Sequence, residues 1–280
     1  MPSFPLVFGV DTFGELAFDH DGHALTQAET IRRVVDEGVL ADQVGLEFFG
    51  IGEHHTNDWP MPAGDVVLAA IASRTRQIHL GSAVLVLSSD DPVRVFQRYS
   101  TLHALSGGRA EVILGRGSSI ESFPLFGYDL ADYETLFEEK TQLFAASLDR
   151  FGHPPRPVGV HAPGHIADTD EQARDELWPH YRDVLTRVGR QRGWPPPTKE
   201  QFLRETGPDG AWHVGSAETV ARKIAANLPA LGASRFDLKY GMVGLPHDTI
   251  MRTIELYGAK VVPLARELLA DADPVPDPAA

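Results

Sequence analysis

Apolar and polar positions along this chain alternate in a way that predicts strands and helices in turn. Residues 6–10 form a short apolar run, the first strand. Thr26-Gln27-Ala28-Glu29 has the spacing of a capping box, in which Thr26 accepts an amide proton and Glu29 reaches back. Ile31, Val34, Val35 and Val44 then mark the buried face of a helix. Residues 46–55 form a second strand that ends in Glu53, His54 and His55. A short apolar helix over 65–74 leads to a third strand, 78–87. Asp91-Pro92 opens the next helix, because proline fits a first turn where no amide partner is lost. Phe96, Tyr99, Leu102 and Leu105 supply its inner stripe.

Ser106-Gly107-Gly108-Arg109 is a turn into a fourth strand, 110–114, and residues 133–148 are again helical. A strand over 158–161 precedes a helix that begins near Asp170. Trp194-Pro195-Pro196-Pro197 breaks the helical region as a surface loop. Ser216 caps a helix running to 231, residues 236–240 form the last strand, and Pro246 opens a final long helix. The tail, 271–280, is rich in Asp, Pro and Ala and has the composition of a disordered segment, which leaves 1–270 as one domain. The pattern amounts to six strand–helix units in α/β order, with no repeat beyond that alternation.

Composition agrees with a soluble enzyme: 280 residues, 42% hydrophobic and 23% charged, can bury a large core as one domain. No apolar run approaches the ~18 residues of a membrane span. The start, Met1-Pro2-Ser3-Phe4-Pro5, lacks the regions of a signal peptide, so a cytoplasmic setting is expected. Without cysteine there is neither disulfide nor thiol catalysis. The 25 basic against 39 acidic residues give a net charge of −14, which disfavours nonspecific binding to nucleic acid or anionic lipid. It does not exclude a small anion site, since one arginine at a strand end can hold a phosphate whatever the global charge.

In parallel α/β folds chemistry collects where strands run out. His54 and His55 stand at such a place and suit acid/base work beside a ligand; a solvated loop that happens to hold histidines is the alternative. Arg116 follows the fourth strand in Gly115-Arg116-Gly117-Ser118-Ser119. There glycines let the backbone approach a ligand, arginine matches phosphate geometry and serines donate hydrogen bonds. The spacing is neither a Walker loop nor a dinucleotide fingerprint. His161-Ala162-Pro163-Gly164-His165 with Asp168 has metal-ligand residue types. Pro163 and Gly164 rule out a regular helical zinc pair, however, and no metal is expected. His180, near Trp178 and Tyr181, reads as a packed amphipathic residue. Lys239, Tyr240 and Met242 end the last strand and line either a pocket or the core. Phe13, Trp59 and Phe123 suggest an apolar pocket, although aromatics also fill ordinary cores.

The chain resembles the bacterial luciferase-like flavin-dependent monooxygenases. The match runs in order through Phe8-Gly9-Val10-Asp11-Thr12-Phe13-Gly14-Glu15, Gly52-Glu53-His54-His55, Leu80-Gly81-Ser82-Ala83-Val84, Gly107-Gly108-Arg109-Ala110-Glu111 and Gly115-Arg116-Gly117. It continues through Tyr133-Glu134-Thr135-Leu136-Phe137-Glu138-Glu139-Lys140, Val214-Gly215-Ser216-Ala217-Glu218-Thr219-Val220 and Tyr257-Gly258. The resemblance implies a luciferase-like TIM (β/α) barrel using reduced FMN and oxygen on a small organic substrate, with a deazaflavin as the alternative cofactor. It implies a separate flavin reductase as partner and a homodimer. His54 would be the acid/base group beside the flavin ring, with His55 its neighbour and Glu53 either orienting an imidazole or purely structural. Ser82-Ala83 matches the place of a non-proline cis peptide under the ring. Arg116, with Gly117 and Ser118, would hold the flavin phosphate.

A closed barrel of this kind uses eight βα units. The resemblance places about two missing units between Arg150 and Val158, where this chain has only Phe151-Gly152-His153-Pro154-Pro155-Arg156-Pro157. Two such units need on the order of 60 residues. A natural shortening, an engineered one and a segment missing from the sequence are the three origins. An open barrel leaves unpaired edges and apolar faces, which favours extensive dimer contacts or a lost segment. The second functional class is therefore a non-catalytic, dimeric flavin-binding or structural relative. A third, a metal-dependent barrel hydrolase, requires stoichiometric zinc or iron.

Overall fold

The computed structural model describes residues 5–19, 21–117, 121–149, 159–192, 195–230 and 233–270. Ser118, the interval 151–157 and the tail 271–280 lie outside the described residues. The chain divides into two compact units, 11–156 and 1–10 together with 157–280. The first strand, β1 (Val7–Thr12), begins in the second of these and ends in the first.

In the unit 11–156, α1 (Gln27–Gln43) starts with the expected capping box: Thr26 accepts from the Glu29 N–H, and the Glu29 carboxylate accepts the Thr26 N–H at 2.9 Å. Its buried line is Thr30, Val34, Glu37, Gly38 and Ala41, so Val34 alone of the four residues read from the pattern is fully buried. There follow β2 (Phe48–Ile51), α2 (Gly64–Ala72), β3 (His79–Ser82), β4 (Leu85–Val86) and α3 (Pro92–Leu105). Next come β5 (Ala110–Glu111), β6 (Leu114–Gly115), α4 (Ser122–Phe126) and α5 (Tyr133–Asp149). β2, β3 and β5 run parallel in that order, with Ile51 opposite Ser82 and Gly81 opposite Glu111. β4 and β6 make a separate parallel pair. Parallel pairing gathers the C-terminal ends of each ladder at one edge, which is where the histidine pair and Arg116 fall.

Two expected strands are each broken in two. The Ser82 hydroxyl donates to the Ile113 carbonyl at 2.9 Å and accepts the Ile113 N–H at 2.8 Å. A side chain thus takes over the ladder between β5 and β6. The non-proline cis bond expected at Ser82–Ala83 lies one bond later, at Ala83–Val84. The Ala83 N–H still donates to Ile51 in the β2–β3 ladder at 2.9 Å, which keeps the Ser82–Ala83 peptide in strand geometry. The inner stripe of α3 is also turned from the expected one: Val95, Tyr99 and Leu102 are buried with Ser106, while Leu105 is 70% exposed. Leu105 sits one residue, or about 100° of helix, off that line.

The second unit holds β7 (Gly159–Ile166), α6 (Asp170–Arg192), α7 (Lys199–Glu205), β8 (His213–Gly215), α8 (Ala217–Ala230), β9 (Arg235–Lys239), α9 (His247–Leu256) and α10 (Val262–Ala270). α9 and α10 are joined by a π-helical turn, Tyr257–Val261. β7 is longer than the expected 158–161 and central. It pairs in parallel with β9 over Gly159–Pro163 and with β8 over Gly164–Ile166. Pro163 and Gly164 mark the hand-over between partners. Gly164 is needed there because a Cβ would collide with the His213 carbonyl and Leu238. β8 was not expected, its three residues being too short for a periodic signal. Neither parallel run closes on itself among the described residues.

Candidate active site

The β2 end is fixed by backbone bonds before any side chain acts. Gly52 N–H donates to Thr12 at 2.8 Å, Glu53 N–H to Val84 at 3.0 Å and His54 N–H to Met61 at 3.2 Å. The three ionisable side chains then separate by role. Glu53 accepts the Val86 N–H on one oxygen at 3.0 Å and meets His55 Nε2 with the other at 2.8 Å. Glu53 and His55 are both largely buried, and the His55 ring stands edge-on to Phe126 at 5.1 Å. This pair locks the β2 loop to β4.

His54 is held differently. Its Nδ1 lies 2.9 Å from Glu121 Oε1, and its ring sits between Phe13 at 5.1 Å and Trp59 at 5.5 Å. The imidazole is 13% and the carboxylate 23% exposed, so the pair is shielded yet reachable. Nε2 makes no hydrogen bond to any described residue. A carboxylate on Nδ1 fixes that nitrogen as the proton carrier and leaves Nε2 to give or take a proton. Glu121, which no sequence motif singled out, is the residue that reading missed. The available signal was an acid five positions after Arg116 in the loop that follows β6.

Arg116 directly follows β6. Its Nη1 donates to both oxygens of Glu134, at 2.8 and 2.9 Å, and its guanidinium lies 5.8 Å from the Tyr133 ring centroid. Tyr133 donates to the Gly117 carbonyl at 2.6 Å, tying the start of α5 to the same loop. Gly117 has φ +81°, and a Cβ there would come within 2.7 Å of Val86 Cγ1, so packing alone demands this glycine. The Ser82 hydroxyl is spent on Ile113, as described above. Two further hydroxyls flank the site: Thr56 Oγ1 and Ser122 Oγ are buried without a hydrogen-bond partner among the described residues.

The His161–His165 stretch is divided between surface and core. His161 is exposed, while His165 is fully buried, with Nε2 on Glu176 at 2.8 Å and Nδ1 on Thr253 Oγ1 at 3.1 Å. Asp168 pairs with Arg252 at 2.9 Å. His180 is half-buried. Tyr240 and Met242 are buried, and Lys239 donates to the Gly241 carbonyl.

This arrangement defines a parallel α/β protein with a shielded imidazole at a strand end. The chain belongs to the luciferase-like monooxygenase family, whose model it matches over residues 12–154. It is 37% identical over 125 residues to an uncharacterized protein, y4wF, of Sinorhizobium fredii, covering 44% of this chain and 35% of that one. It is 29% identical over 125 residues to the alkanal monooxygenase alpha chain of the Kryptophanaron alfredi symbiont, with the same coverages of 44% and 35%. The chain thus spans about a third of the length of these relatives. Among solved structures, the FMN complex of the oxygenating constituent of 3,6-diketocamphane monooxygenase from Pseudomonas putida, a type II Baeyer-Villiger monooxygenase, superposes with a TM-score of 0.68. That match has 15% identity and covers 93% of this chain and 99% of the other, which establishes likeness of fold. No helix among the described residues is long and apolar enough to cross a membrane.

Proposed function

We propose that the protein is a flavin-dependent monooxygenase or oxidoreductase that uses reduced FMN and oxygen on a small organic substrate. The observation that carries this reading is the His54–Glu121 pair in its aromatic slot, in a chain of the luciferase-like family. The donor set fits a phosphate-bearing aromatic cofactor. Arg116 offers a guanidinium at the end of β6, Phe13 and Trp59 offer apolar surface, and the Thr56 and Ser122 hydroxyls have no partner among the described residues. Gly117 and Ser118 would help Arg116 hold the phosphate, and Ser82 and Ala83, at the end of β3, would contribute to the cofactor site. Bound reduced FMN supplies the electrons that let oxygen react with the substrate.

This chain's own residues then do three things. Arg116 anchors the phosphate by charge-assisted hydrogen bonds. His54 moves a proton at Nε2, with Glu121 stabilising the imidazolium through Nδ1. Phe13 and Trp59 restrict water around the ring. Glu53 and His55 hold the loop and act through its position. A separate flavin reductase, a homodimer and a cytoplasmic setting complete the proposal, and a deazaflavin is the alternative cofactor. The open-ended parallel runs favour one second reading, a flavin-binding relative without turnover.

The test is titration of the purified chain with oxidised and reduced FMN, followed by oxygen consumption with a flavin reductase. One-to-one binding weakened by Arg116→Ala, with turnover lost in His54→Ala, is expected. Binding with no oxygen chemistry selects the second reading, and no binding to either form overturns both. Glu121→Gln keeps the shape but removes the charge. It is expected to lower turnover about tenfold or more, because a hydrogen bond to a charged group contributes about 1.5–3 kcal/mol.

A further inference from the structure

Arg116 is not a free guanidinium. Among the described residues its hydrogen-bond partner is Glu134, through Nη1 alone, at 2.8 and 2.9 Å. Glu134 lies in the first turn of α5, and the pair opens onto a cavity of about 530 Å³ lined by Arg116, Glu134, Phe137, Glu138, Thr141 and Gln142. The cavity wall therefore carries one cation and two acids. Thr141 Oγ1 is buried there without a hydrogen-bond partner among the described residues, which leaves a hydroxyl for a polar ligand atom.

We propose that Glu134 is an internal competitor for a phosphate monoester at Arg116, and so sets how strongly the site distinguishes a phosphorylated flavin from an unphosphorylated one. The inference rests on the assignment of Arg116 to the flavin phosphate made above. A carboxylate and a phosphate want the same face of a guanidinium, and both are anions. A phosphate that reaches Nη1 either displaces Glu134 or sits beside it against like-charge repulsion. The Tyr133–Gly117 hydrogen bond keeps the start of α5, and Glu134 with it, close to the loop. The ion pair is weak enough to yield: Arg116 is 51% and Glu134 73% exposed. Pairs of that kind contribute little in water. Glu134 therefore attenuates phosphate binding without blocking it.

The measurement is binding of FMN and of riboflavin to wild type, Glu134→Gln, Glu134→Gln/Glu138→Gln and Arg116→Ala, alone and combined with Glu134→Gln. Glu138 stands one turn on in the same wall, so the double neutralisation prevents it from taking over the role. Circular dichroism checks folding; Glu134 is a surface residue, and glutamine retains its helix propensity. Glu134→Gln is expected to tighten FMN about two- to fivefold at low salt, the range an exposed ion pair allows. It should leave riboflavin unchanged, lose the gain at high salt and have no effect in the Arg116→Ala background. An unchanged or weaker FMN affinity in both neutralised variants overturns the inference, as does an equal gain for riboflavin. If no variant binds either flavin, the flavin reading falls separately. Inorganic phosphate then decides the inference by whether Glu134→Gln binds it more tightly than wild type.

Discussion

His213 offers a sharp test of the second unit, because its surroundings disfavour the protonated, charged ring. The ring is 2% exposed, lies 4.7 Å from the Phe236 ring, and has Asn227 Nδ2 at 3.3 Å from Nε2. Burial, followed by the nearby Lys223 ammonium, pushes its pKa from 6.5 down to about 4. Lys223 is pinned in place by the Gly207 and Trp212 carbonyls at 2.6 and 2.8 Å. An unfolded chain binds a proton at this histidine below pH 6.5, whereas the folded chain refuses it until about pH 4. Stability from His213 is therefore fully present above pH 6.5 and is lost as pH falls towards 4. The linkage integral gives a loss of about 2 kcal/mol between pH 7.5 and 5, and about 3 kcal/mol near pH 4. The assay is urea unfolding of wild type and His213→Gln, followed by tryptophan fluorescence at pH 7.5, 6.5, 5.5 and 5. Other groups titrate equally in both proteins, so the wild-type-minus-variant difference isolates His213. That difference should move against wild type by about 2 kcal/mol across the range. A difference that stays flat, or that favours wild type as pH falls, refutes the reasoning.

Two further outcomes test the scaffold beneath the site. The Arg109 guanidinium donates to the Ala72, Thr75, Ile78 and Ser106 carbonyls and to Thr75 Oγ1. Arg109→Lys, whose single ammonium cannot span that fork, should lower stability by about 2 kcal/mol in a denaturant titration. Gly164→Ala places a methyl against the His213 carbonyl at the β7 hand-over. It should cost about 2–3 kcal/mol and raise hydrogen exchange at the β7–β8 amides; wild-type protection there would contradict the register.

The order of strands and helices was legible because its signals are local. The Thr26 capping box and the Asp91-Pro92 helix start each need only residues up to three apart, and both formed as read. Bridges between distant positions left no such trace. Ser82 replaces the ladder through Ile113, 31 residues on, and nothing in the serine itself announces that its hydroxyl is spent on a backbone. The interruptions of the third and fourth strands follow from that bond, which leaves hydrophobic periodicity unaltered. The strand expected to end at His161 instead runs on through Pro163-Gly164 to Ile166. Turn chemistry is the commonest use of that pair, yet a strand that changes partners also tolerates a missing N–H and needs a missing Cβ.

The same distinction decides which histidine matters. As a sequence, Glu53-His54-His55 offers three titratable groups at a strand end and no means of ranking them. In the fold, Glu53 has both oxygens committed, one to the Val86 N–H and one to His55, so two of the three are consumed in holding the loop. His54 alone meets a carboxylate from a different segment, 67 residues away, and lies between two aromatic rings. A side chain whose hydrogen bonds are exhausted by its own scaffold is a poor proton carrier, whatever its residue type. One that is fixed at a single nitrogen between two aromatic rings is oriented without being neutralised as an acid or base. Glu121 thus converts a motif into a ranking, and it stands five positions after Arg116. In the function proposed above, His54 with Glu121 moves the proton and Arg116 holds the phosphate, so His54→Ala should lose turnover and spare FMN binding.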